Sequence, residues 1–263
     1  ANTCHDGTQN GGELGVDCGG ACLACDGAAC ASDAECRSGG CVGDLCAAAF
    51  SHTLTLDGTS EFVAAEGFAT TSAGYTAYVT WDATYLYLGF QGPDIDPVVG
   101  ASATKWLMVY LDTDPGAATG ASTGLTYNSR SPTFPTGFGA ELHFGWKTGG
   151  DNYVNKKQFA ADWEDATATF DWQRADDVVE IRIPRADLGA NVERVGVSMF
   201  MHNEDSTGRW SYAALYGDGW GMTTLEPIEP IADGDHDPIA PAHYLLADFR
   251  LAQNPADPAN KRP

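Results

Sequence analysis

Beyond residue 50, apolar and polar side chains alternate in short runs and do not recur at helical spacing. In Val178–Ile183, the residues Val179, Ile181 and Ile183 are apolar, with Glu180 and Arg182 between them. A period of two sends one set to a buried face of a strand and the other to solvent. Tyr75–Trp81 and Tyr85–Phe90 read as a hairpin across Asp82-Ala83-Thr84. Trp106–Leu111, Ala140–Trp146, Ala166–Trp172, Val195–His202 and Tyr244–Leu251 continue the series, and Leu54–Leu56 ends in the turn signal Asp57-Gly58. No stretch of helical length keeps a 3.6-residue period; Gln158–Glu164 and Arg185–Leu188 each offer a helical turn at most. The pattern predicts an all-β protein, a jelly-roll-like β-sandwich.

The first 49 residues follow a different rule. All eight cysteines fall between Cys4 and Cys46, among many glycines and few large apolar side chains. Such a segment cannot bury a conventional core, so crosslinks must supply the missing stability. The expected organisation is a disulfide-stapled module over 1–49, joined through Ala47–Ala49 to a sandwich over 50–263 that ends in an acidic, Pro-rich segment. Eight cysteines allow 105 pairings, and spacing does not choose among them. Cys18, Cys22 and Cys25 also have partial zinc spacing, but no second cluster matches it.

Disulfides persist in oxidising compartments, which points to a secreted or outer-surface protein. The chain starts at Ala1 with no basic and apolar leader, so any signal peptide is expected to have been removed. No run approaches the roughly 18 apolar residues of a membrane span. With 36 acids against 14 Lys and Arg, the net charge of −22 disfavours nucleic acid as a partner. The same acidity suits calcium, which takes carboxylate and carbonyl oxygens.

Several ordered segments carry a resemblance. They are Leu56-Asp57-Gly58 with Phe62, the stretch Ala77–Phe90 followed by Asp94 and Asp96, Val109-Tyr-Leu-Asp-Thr-Asp114, and Val179–Gly189. Together they resemble family 9 carbohydrate-binding modules and their wider DOMON-like relatives, over nearly all of residues 52–251. The N-terminal run with Asp6, Asn10, Glu13 and Val16-Asp17-Cys18-Gly19-Gly20 resembles a Cys-rich repeat of myxobacterial surface proteins. The first resemblance implies a sandwich that binds glycan chain ends through aromatic rings and often carries structural calcium; other relatives bind haem. Fold alone does not fix the ligand.

A sugar presents an apolar ring face bordered by hydroxyls, which a flat aromatic ring can cover while polar groups read the rim. The suitable rings are Trp146, Tyr153, Trp163, Trp172, Trp210, Tyr212 and Trp220. The lectin-like site is expected from Trp146, Tyr153, Trp163, Trp210 and Trp220 with Asn152 and Arg209, although alternation also places Trp146 with core residues Leu142 and Phe144. Structural calcium is expected at Asp6, Asn10, Glu13 and Asp17, at Asp94 and Asp96, and at Asp112 and Asp114. No catalytic motif is present: there is no Gly-x-Ser-x-Gly, His-Glu-x-x-His or phosphate loop. The expected function is therefore non-catalytic binding of a polysaccharide or glycan. One alternative is a structural or adhesive surface protein that meets a protein partner through the Cys-rich module. A lesser alternative is b-type haem, with axial ligands drawn from Met108, His143, Met199, Met201 and His202.

Overall fold

The computed structural model describes residues 4, 8–96, 105–117, 119–127, 131–149, 153–190, 192–203, 211–218 and 239–263. The small module holds β1 (Cys41–Val42) and β2 (Leu45–Cys46). The sandwich strands are β3 (Gly67–Ala69), β4 (Thr76–Trp81), β5 (Tyr85–Gln91), β6 (Lys105–Asp112), β7 (Leu142–Lys147), β8 (Val154–Phe159) and β9 (Trp163–Asp165). They continue with β10 (Asp171–Ala175), β11 (Val178–Pro184), β12 (Arg194–Asn203), β13 (Ser211–Tyr212), β14 (Tyr244–Asp248) and β15 (Lys261–Arg262). One antiparallel sheet has the order β10-β11-β5-β4-β3, and the other β15-β14-β12-β6-β7-β8-β9, with β13 added beside β12. The protein is an all-β sandwich with a disulfide-rich N-terminal segment.

The inner faces follow the period of two. Val79, Leu88, Phe90, Val179 and Ile181 of the smaller sheet meet Leu107, Val109, Phe144, Val197 and Met199 of the larger, all nearly inaccessible to solvent. Each such side chain contributes about 1.5–3 kcal/mol on leaving water. The larger sheet is also covered on its outer face. Trp106, Met108, Tyr110, Phe200 and Tyr244 form a second apolar layer with Phe134, Phe138 and Ile239 from the connecting segments. Hence β6 is buried at all eight positions, which explains why its sequence runs almost continuously apolar.

Three expectations change. Leu54–Leu56 is not a strand but lies extended beside the smaller sheet. The strand series read from the sequence passes over β8, which pairs with β7. Gln158–Glu164 is not helical: it closes the β8–β9 hairpin. The single-turn 3-10 helix at Arg185–Leu188 is present.

The module is tied by Cys4–Cys22, Cys18–Cys25, Cys30–Cys41 and Cys36–Cys46. Each half repeats the same interleaved scheme, first cysteine to third and second to fourth, and every thiol is consumed, so the zinc alternative at Cys18, Cys22 and Cys25 falls. The second half rests against the sandwich. Ser38 O accepts from Ala252 N at 2.9 Å, and Arg37 and Arg250 both pair with Glu193, at 3.6 and 3.2 Å. An added Cβ on Gly40 would meet Ala252 at 3.3 Å, so the backbones pack closely there.

One polar contact lies deep in the structure. Lys105 pairs with Asp94, whose second oxygen accepts from the Tyr75 hydroxyl, and all three side chains are buried. The Asp94 carboxylate, expected to take calcium together with Asp96, is met here by the Lys105 ammonium. A buried pair of this kind contributes little over an apolar substitute, but removing one partner strands a charge. Lys105→Met is therefore expected to destabilise the fold by about 3–5 kcal/mol in urea unfolding. An Asp94→Leu, Lys105→Met double substitution should recover much of that loss.

Candidate functional site

Strand β10 is an edge of the smaller sheet, and it projects Asp171 and Gln173 away from the core. Antiparallel register sets Arg182 of β11 directly opposite Asp171. The guanidinium donates to Asp171 Oδ2 at 2.9 Å and lies 4.8 Å from the centre of the Tyr85 ring. Trp172, opposite Ile181, leans on the core from the sheet margin and stays partly exposed. The extended Leu54–Leu56 segment forms the opposing wall. It is anchored by Gly58 N and Asp57 N, which donate to Glu180 Oε2 at 2.8 and 3.2 Å. Gly58 has φ +88°, and a Cβ there would lie 2.8 Å from the Arg174 backbone, so this turn needs glycine.

Between these walls lies a groove of about 740 Å³, lined by Thr55, Leu56, Asp171, Trp172, Gln173 and Arg182. It combines an indole with a carboxylate, a guanidinium and an amide. That set can stack on an apolar ring face and exchange hydrogen bonds with hydroxyls around it. It contains no Ser, Cys or His paired with a base.

Of the expected sugar-site residues, Trp146, Tyr153 and Trp163 lie within the described residues, and they occupy different parts of the sandwich. Trp146 is fully buried on the inner face of β7, which corrects its assignment as a ligand-stacking ring. It supports Trp172 from behind, edge to face at 5.3 Å, and carries the Arg174 guanidinium on its own ring at 5.5 Å. Tyr153 is 55% exposed, but it stands against Trp106 at 5.5 Å on the outer side of the larger sheet. Trp163 is half-buried in that outer layer, 5.9 Å from Tyr110 and 5.5 Å from Phe159. Asn152, Arg209, Trp210 and Trp220 lie outside the described residues. The feature that distinguishes Trp172 was visible only as a hairpin register: β10 and β11 turn at Asp176-Asp177, which brings Arg182 beside Asp171.

The calcium expectations divide similarly. Asp6 lies outside the described residues. Glu13 is buried and its Oε2 accepts from Asn10 N and Asp17 N at 3.3 and 3.1 Å, while Asp17 sits at φ 54° in the turn. That carboxylate organises the loop backbone. Asp112 and Asp114, in contrast, converge with Glu141, their ligating oxygens all within 4.8 Å. Glu141 escaped the sequence reading because it is distant in the chain; the pairing of Leu111 with Leu142 places it alongside. Backbone amides hold two of the three carboxylates: Gly139 N donates to Asp112 Oδ2 at 3.2 Å, Asp114 N to Asp112 Oδ1 at 3.2 Å, and Thr113 N to Glu141 Oε2 at 2.8 Å. Thr119 Oγ1 joins Asp114 at 2.6 Å.

The candidate haem ligands are divided between the two faces of the larger sheet. Met199 and Met201 point into the inner core, whereas Met108 belongs to the outer layer. His143 stacks on Tyr110 at 4.4 Å with Nδ1 3.0 Å from Val109 O, and burial holds it down to about 3, so it is neutral at ordinary pH. His202 is buried beside Tyr127 at 5.3 Å.

No family model and no curated protein matches this chain. Solved structures do. The chain is similar to a family 9 carbohydrate-binding module. That module, from Caldicellulosiruptor kristjanssonii, was solved in complex with cellotriose; identity is 14% and the TM-score 0.36 over 64% of this chain and 83% of that one. For a family 9 module of the same organism in complex with glucose, identity is 13% and the TM-score 0.37 over 64% and 85%.

Burial pushes the Asp112 carboxyl up to about 6, with the charge of Asp114 adding to it. Burial also pushes Glu141 up to about 7, with Asp112 and Asp114 adding to it. Both folded values exceed the ordinary 3.8 and 4.5, so the native chain holds protons that the unfolded chain has released. Their stabilisation is complete below those ordinary values and is lost as pH rises through 6 to 7. In chelator, Tm is therefore expected to fall between about pH 4.5 and 7.5, with a shallower slope in Asp112→Asn. Equal slopes in the two proteins would contradict this.

Proposed function

We propose that this chain is a non-catalytic glycan-binding module that works outside the cell, with a structural calcium ion. The observation that carries the binding reading is the β10-margin groove, whose lining combines Trp172 with Asp171, Gln173 and Arg182. Apolar stacking on the indole supplies affinity, and the polar triad selects the hydroxyl pattern. Ordering costs are small, because Arg182 is already held by Asp171 and Tyr85. The extracellular reading is supported by four disulfides with no free cysteine. No helix among the described residues is long and apolar enough to cross a membrane.

Calcium is assigned to Asp112, Asp114 and Glu141. Three carboxylates in one pocket repel one another, and a divalent cation removes that repulsion while keeping them ionised. The ion would fasten the end of β6 to the residues before β7, and so the segment between them, which carries Phe134 and Phe138 over the outer face. A second reading, contact with a surface protein, is favoured by the exposed Leu14, Val16, Leu23, Val42 and Leu45, all on the Cys-rich module.

A glycan array followed by calorimetry on the best oligosaccharide tests the binding reading. Trp172→Ala should weaken binding at least about tenfold, the loss of one stacked ring. Arg182→Ala should weaken it comparably, and Tyr153→Ala should leave it unchanged. Retention of no glycan, or insensitivity to Trp172→Ala, would refute the assignment. Calcium should raise Tm by several degrees, ~2–4 °C per kcal/mol for a chain of this size, and Asp114→Ala should abolish that rise.

A further inference from the structure

The opposite margin of the same sheet holds a second groove with a different set of residues. It measures about 620 Å³ and is lined by Phe68, Thr70, Tyr216, Asp218, Pro258 and Lys261. Strand β3 forms one wall, and the C-terminal segment approaching β15 forms the other. Tyr216 packs edge to face on Phe68 at 5.4 Å and carries the Lys261 ammonium 5.0 Å from its ring centre. Lys261 also holds Asp218 at 2.5 and 2.6 Å, so a donor and an acceptor stand together at the mouth. Gly217 keeps that mouth narrow but open: a Cβ there would come within 3.1 Å of Thr70 O.

Two polar atoms beside this groove have no hydrogen-bond partner among the described residues. The Tyr216 hydroxyl is buried without a hydrogen bond, and so is Nδ1 of His243, whose ring lies 6.4 Å from that of Tyr216. Native proteins pair nearly all such groups, and a buried hydroxyl left alone is destabilising. A group that persists unpaired beside a cavity is poised for something that enters it.

We infer that the β3-margin groove is a second binding site for a hydroxylated ring, with Tyr216 Oη and the Asp218–Lys261 pair as its hydrogen-bonding groups. The geometry stands independently of the β10-margin groove; only the choice of a sugar as ligand rests on the glycan reading. β10 and β3 are the two edges of the five-stranded sheet. Four strand spacings separate them, roughly 19 Å at about 4.8 Å each. Two sites at that distance make the module bivalent, able to hold two stretches of one polysaccharide or two neighbouring chains, with avidity exceeding either single affinity.

The test is an NMR titration of the full-length ¹⁵N-labelled chain with glucose and then cellotriose, beside thermal unfolding. In the wild type, the amides of Gly217 and Asp218 should shift with glucose, and they should still shift in Trp172→Ala. Tyr216→Phe deletes only the unpaired hydroxyl. It should leave Tm unchanged or raised, while weakening the glucose response at Gly217 and Asp218 by roughly five- to tenfold. Lys261→Met, at a half-exposed position, should weaken the same response. Shifts confined to the β10 margin would overturn the second site and leave the first standing. A lower Tm in Tyr216→Phe with an unchanged glucose response would show that the hydroxyl serves the fold, and would overturn it too. Shifts at Gly217 that persist while Trp172→Ala changes nothing would refute the β10 site alone. No shift anywhere would refute both.

Discussion

Burial of the larger sheet on both faces is the constraint on which the rest of this structure depends. Strands β6 and β12 pair over eight positions, and every second residue of each enters the inner core. Their other faces carry Trp106, Met108, Tyr110 and Phe200, which cannot be left to water and recruit Phe134, Phe138 and Ile239 as cover. The long connection between β6 and β7 thus acts as a third layer. Fixing it in place requires a fastening at its ends, and the Asp112–Asp114–Glu141 cluster lies where it leaves β6 and re-enters at β7.

Two grooves lie along the margins of the smaller sheet. A sheet edge exposes side chains to solvent on one side while the backbone beside them is held by the next strand. Both grooves use this arrangement. At β10, cross-strand register sets the Asp171 carboxylate beside the Arg182 guanidinium, while the neighbouring Trp172 indole leans on Trp146 at the core margin. At β3, a tyrosine and an ion pair come from segments remote in sequence. Each groove sets an aromatic ring beside a carboxylate and a cation.

Electrostatics sets a tension across the molecule. A chain with net charge −22 gathers acids closely, and it resolves each gathering differently. Asp94 receives Lys105 and a tyrosine hydroxyl inside the sandwich. Glu13 and Asp82 accept from turn amides, and the second oxygen of Asp82 accepts from the Tyr87 hydroxyl. Glu193 and Asp248 share Arg250, and Glu193 reaches Arg37, joining the stapled module to the sandwich. Only at Asp112, Asp114 and Glu141, among the described acids, do three carboxylates crowd together with amides and a threonine hydroxyl alone to balance them.

How much of this was legible in the chain follows from the range of each signal. The alternation of Val179, Ile181 and Ile183 is local, so strand, inward face and sandwich class could be read directly, whereas Glu180, expected at solvent, is buried beneath the Asp57-Gly58 turn that it anchors. The crowding of cysteines before residue 50 likewise announced a crosslinked module. β8 was hidden because Val154–Phe159 is half-buried along its length and carries two lysines, so its pairing comes from the β7 edge and not from its own composition. Trp146 and Trp172 look alike in sequence, yet one is sealed within the core and the other faces a groove. Local pattern determined which residues alternate and where acids cluster. Only the tertiary structure decided which indole reaches solvent, which cysteines pair and which acid joins Asp112 and Asp114, because strand register and sheet order bring together residues that no local spacing relates.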